Sequence, residues 1–67
     1  MPEYEIRLRG PLDQSWSDWL GGLEVSLTGT GDTLLSGLVV DQAALHGILL
    51  RVRDLSLELL SLRQLDA

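Results

Sequence analysis

Hydrophobic and polar positions alternate strictly at the start of the chain. In "YEIRLRG" (4–10), Tyr4, Ile6 and Leu8 fall on one side and Glu5, Arg7 and Arg9 on the other. That period of two is the pattern of a half-buried strand, and Gly10-Pro11 ends it. Over "DQSWSDWLGG" (13–22) the period changes. Trp16, Trp19 and Leu20 stand at i, i+3 and i+4, one stripe of a short helix, with Ser15 and Asp18 as a capping pair and Gly21-Gly22 as the stop. "LEVSLT" (23–28) alternates again, "GTGD" (29–32) is turn chemistry, and "TLLSGLVV" (33–40) reads as a strand. Residues 23–40 are therefore predicted to form a β-hairpin.

The stretch "DQAALHGILLRVRDL" (41–55) predicts a longer helix. Asp41 is a good N-cap, and Leu45, Ile48, Leu49 and Val52 recur at helical spacing. Arg51 and Arg53 sit near the C-terminus, where the helix dipole favours cations. The tail "SLELLSLRQL" (56–65) either continues this helix, which leaves leucines all round its surface, or breaks near Asp54 to Ser56 and forms a last strand. The strand is the preferred reading. The order is then β-α-β-β-α-β, a single α+β domain over 1–67 of ferredoxin-like type. Two helices are expected on one face of a four-stranded antiparallel sheet of order 4-1-3-2. The expected core is Tyr4, Ile6, Leu8, Trp16, Trp19, Leu20, Val25, Leu45, Ile48, Leu49 and Val52.

Size and charge narrow the function. Sixty-seven residues lie near the lower limit at which a hydrophobic core alone sustains a fold, and there is no cysteine to supply a disulfide or thiolate ligand. Oligomerisation is the remaining support. A net charge of -5 disfavours nucleic acid and anionic membrane as partners. No apolar run reaches the length of a membrane span and no signal peptide is evident, so a cytoplasmic protein is expected.

"YEIRLRG", the tryptophan-containing segment, "DQAALHGILLRVRDL" and the closing "LSL" resemble a group of small uncharacterised bacterial proteins found as short standalone chains. The resemblance spans nearly the whole chain, is most specific over 41–55, and implies no activity or catalytic residue. The layout also resembles ACT-type regulatory modules, a fold-level likeness that does not carry function.

Candidate chemistry is sparse. His46 flanks the core stripe of its helix. A catalytic histidine needs a nucleophile or an orienting carboxylate in reach, and Asp54 lies eight residues on, so a boundary or interface role is the better reading. Arg7, Arg9 and Arg63 are expected on the outer sheet face. There they form a phosphate platform only with stacking aromatics, which the neighbouring positions lack. Cross-strand ion pairs are the simpler expectation. No calcium loop, phosphate loop, metal site or cofactor site is expected.

Gly47 inside a helix costs about 1 kcal/mol relative to alanine, which suggests close backbone approach by a neighbour on the face of Ala43, Gly47 and Leu50. In 33–40 and 56–65 both alternation sets hold large aliphatics: Leu34, Leu38 and Val40 against Leu35 and Val39, then Leu60 and Leu62 against Leu57, Leu59 and Leu65. Some of them must face outward. The outer sheet face, with Leu35, Val39, Leu57 and Leu59, is the expected interface of a homodimer or higher oligomer, and the helix face is the alternative. The chain reads as a small non-enzymatic, self-associating interaction or regulatory module, with a protein partner possible. The rival is a small enzyme or effector-binding protein whose inter-subunit pocket uses His46 and the arginines.

Overall fold

A computed structural model describes residues 2–65. The chain runs β1 (Glu3–Leu8), a single 3₁₀ turn (Gln14–Trp16), β2 (Glu24–Leu27), β3 (Thr33–Leu38), α1 (Gln42–Asp54) and β4 (Leu59–Leu65). The four strands form one antiparallel sheet in the order β2-β3-β1-β4, the expected order read from the opposite edge. Only one α-helix lies among the described residues, which corrects the two-helix, ferredoxin-like expectation.

The missing helix has a local cause. Between Asp13 and Gly21 there are too few residues for intrahelical hydrogen bonds to recover the cost of nucleation. Asp13, rather than Ser15, caps the segment by accepting the Ser15 N–H at 3.1 Å. One 3₁₀ turn forms, and then Gly21 and Gly22 both take φ of +80°. The Ser17 hydroxyl donates to the Leu23 carbonyl at 2.6 Å, tying the segment to the approach of β2 instead of extending a helix. As a result Leu20 and Leu23 are buried while Trp16 and Trp19 are 38% and 37% exposed. The tryptophans are therefore not core residues, contrary to the expectation from their spacing. They pack edge to face on each other, with ring centroids 5.7 Å apart.

The long helix follows its sequence signals closely. Asp41 accepts the Ala44 N–H at 2.8 Å, and Leu45, Ile48 and Val52 are buried, with Leu49 half-buried against them. Asp41→Ala is expected to lower stability by about 1 kcal/mol through loss of this cap. A urea midpoint unchanged by the substitution would contradict the assignment.

The helix stops in a Schellman arrangement. Ser56 adopts φ 59°, its N–H donates to the Arg53 carbonyl, and the Leu57 N–H donates to the Val52 carbonyl. Leu57 then packs against the core, the apolar contact that accompanies this motif. The tail is thus turned back as a strand and does not prolong the helix.

β1 contributes Tyr4, Ile6 and Leu8 to the core, β2 Val25, and β3 Leu35, with Val39 just beyond it. Cross-strand pairing joins Leu35 to Ile6 on one side and to Val25 on the other. The hairpin end is locked to the end of β1. The Thr33 hydroxyl, fully buried, donates to the Gly10 carbonyl at 2.7 Å, and the Gly10 N–H donates to Asp32 Oδ1 at 3.0 Å. That backbone hydrogen bond is the main cause that holds the Asp32 carboxyl below its ordinary pKa, aided by the Thr30 hydroxyl and the nearby Arg9 and Arg7. Among the described residues no helix is long and apolar enough to cross a membrane.

Candidate interaction surfaces

The register decides which side chains are available. On the outer sheet face lie Glu5 and Arg7 of β1, Glu24 and Ser26 of β2, Leu34, Ser36 and Leu38 of β3, and Ser61 and Arg63 of β4. Leu34 and Leu38 are the large aliphatics of β3 that point this way, and polar groups surround them. Leu35 and Val39, expected at an outer-face interface, are instead core residues at 0% and 2% exposure. Leu57 is half-buried against the core, and Leu59 is exposed at the rim of the groove beside α1. The physical reason is parity. Ile6 is committed to the core by the strict alternation of β1, and its partner Leu35 must follow it there.

The candidate polar residues do not converge. Arg63 faces Glu5 at 3.7 Å on the outer side of the sheet, and Arg9 faces Glu58 at 3.2 Å. The Arg9 pair is exposed and the Arg63 pair is exposed on the arginine side, so both are of the kind that contributes little to stability. Arg7 is exposed on that same outer face, whereas His46 is exposed on α1, across the sheet. Among the described residues no cluster of three or more histidine and acidic side chains is placed to hold a metal ion.

Two apolar grooves flank α1. The first, about 360 Å³, lies between the helix and the turn after Trp19. It is lined by Leu38, Val39, Val40, Ala44, Gly47 and Ile48, with Gly21 and Arg51 at its rim. Arg51 holds that rim together, since its guanidinium lies 5.6 Å from the Trp19 ring centroid and donates to the Trp19 carbonyl. Ala43 and Leu50 are exposed on the same helix. The second groove, about 450 Å³, runs between the C-terminal half of α1 and the start of β4, lined by Leu49, Val52, Arg53, Ser56, Leu57, Glu58 and Leu59.

Gly47 does not mark a close backbone approach. A Cβ placed there meets nothing within 4 Å, and the close approach occurs at Gly21, where a Cβ would lie 3.1 Å from the Ile48 side chain. Gly47 instead leaves an open notch in the wall of the first groove. Gly47→Ala is accordingly expected to raise stability by about 0.5–1 kcal/mol, because alanine is the better helix former and has room. A fall in the thermal midpoint would show that the notch is filled.

Sequence reasoning missed two features of these surfaces: the half-exposed tryptophans and the open edge of β4. The paired glycines at 21–22 were a usable signal for the first. The signal for the second was the expected order 4-1-3-2 itself, which sets the last strand at an edge.

A family model matches residues 3–63, and the chain belongs to that family, described as Domain of unknown function (DUF8691). No curated protein and no solved structure matches the chain.

Proposed function

For a member of this family we propose a non-enzymatic role: the chain is a small self-associating module that works through its surfaces, by binding copies of itself and a protein partner. The observation that carries this reading is the amount of large apolar surface left uncovered in so short a chain. Trp16, Trp19, Leu38, Val40 and Leu50 are all exposed, and Leu59 and Leu62 add a further set on the last strand. Scattered exposed leucines are ordinary, but apolar side chains gathered along grooves mark contact surfaces. Self-association also supplies the support that a cysteine-free domain of 67 residues otherwise lacks. The cytoplasm is the compartment we assign. Light scattering of the purified protein at micromolar concentration is expected to give the mass of a dimer or higher oligomer. A monomeric mass throughout would sink the reading.

A further inference from the structure

We infer that two copies of this chain pair edge to edge through β4, antiparallel about a two-fold axis at Leu62, to form a continuous eight-stranded sheet. This rests on the self-association proposed above and names its surface and partner.

A sheet of four strands has two edges, here β2 and β4. The β2 edge is blunted: the strand is only four residues long, and the 3₁₀ turn packs beside it. β4 carries little of the usual protection. It is seven residues long, contains no proline or glycine, and holds a single charge, Arg63. Edge strands of natural proteins are normally shortened, charged, bulged or covered, because a row of free N–H and C=O groups is a template for another strand. The only such device along β4 is the register irregularity where Leu59 meets Leu8, and it leaves Ser61–Leu65 paired regularly with β1.

At about 3.3 Å per residue β4 offers roughly 23 Å of edge, nearly the whole of a molecule measuring 28 × 24 × 19 Å. Such a side supplies several hundred Å² per copy, at the low end of specific interfaces. The second groove lies along the same edge and gives the partner apolar side chains to meet in Leu49, Leu57 and Leu59.

The low charge of the seam suits a second copy, and the register sets its placement. The chain is acidic, at -5, yet the single charge on β4, Arg63, is paired with Glu5, so two copies meet along a nearly neutral seam that adds nothing to the net repulsion. Full overlap of Leu59–Leu65 with itself places its midpoint, Leu62, against Leu62 of the second copy. Arg63 then faces Ser61. A slip of one residue at the axis toward the C-terminus sets Arg63 against Arg63, and like charges directly opposite destabilise an antiparallel pair. Leu62 stands opposite Ile6 and therefore lies on the helix side, but it is 40% exposed because α1 does not reach over the edge. A second Leu62 covers it, and both helices lie on the same side of the joined sheet.

The test uses the absence of cysteine from the chain. Directly opposite residues in an antiparallel pair have Cα separations of about 4.5–5.5 Å, within the range a disulfide spans. Leu62→Cys is therefore expected to give a covalent dimer on mild oxidation, and Leu38→Cys, exposed at the far side of the sheet, is not. In a dilution series from about 100 μM to about 0.1 μM the unmodified chain should pass from dimer to monomer. Leu62→Lys, with its fold checked by circular dichroism, should weaken the dimer at least tenfold. A monomeric mass at every concentration overturns self-association and this inference together. A dimer in which Leu62→Cys does not link and Leu62→Lys changes nothing overturns edge pairing alone and leaves self-association standing.

Discussion

Leu35→Ala is expected to lower the stability of the folded chain by about 2–5 kcal/mol, the range for emptying a buried leucine site. Leu35 has no exposed surface, sits on one of the two central strands, and lies between Ile6 and Val25 on the helix side of the sheet. The neighbours are poorly placed to close the gap, since Ile6 and Val25 are held by their own strand pairings. A domain of this size has roughly 3–10 kcal/mol of total stability, so the variant should be partly unfolded or melt far earlier. Urea titration followed by circular dichroism measures the effect. Normal stability combined with loss of self-association would place Leu35 on an outer interface, against the register described above.

How legible each part was depended on how far the local pattern constrained its face. β1 was readable because its polar and apolar positions alternate without exception, so Tyr4, Ile6 and Leu8 could face only one way. α1 was readable from Asp41 and the recurrence of Leu45, Ile48 and Val52, and its end from the break before the last strand. "TLLSGLVV" was not, because both of its alternation sets are apolar. Only pairing with Ile6 and Val25 settles that Leu35 points inward and Leu34 outward. Trp16, Trp19 and Leu20 have a spacing that suits a helix, but one turn of tighter coil satisfies it equally. The two glycines that follow divert Leu20 and Leu23 into the core in place of the tryptophans. The inward placement of Leu35 and Val39, two of the residues expected at the outer face, follows from the same parity. The open edge of β4, by contrast, follows from the expected order 4-1-3-2, which already sets the last strand at one side of the sheet.

Gly37→Ala should destabilise the fold by about 1–3 kcal/mol, the usual cost of forcing a side chain into a sparsely populated backbone region. Gly37 lies within β3 opposite Tyr4, with φ at 153°, a value that residues with a Cβ rarely adopt. Its inward position is also occupied, since a Cβ there would come within 2.9 Å of a terminal methyl of Leu23, itself buried. The methyl can move only by disturbing the core it fills, so backbone strain and repacking act in the same direction. This glycine lets Leu23 pass close under the end of β3, one of the contacts through which the segment before β2 joins the core. Gly47→Ala makes the same chemical change in a helix with open space beside it, and its effect is expected to have the opposite sign. Parallel thermal melts of the two variants separate the cases. A Gly37→Ala midpoint equal to that of the unmodified chain would mean that β3 does not hold this backbone conformation.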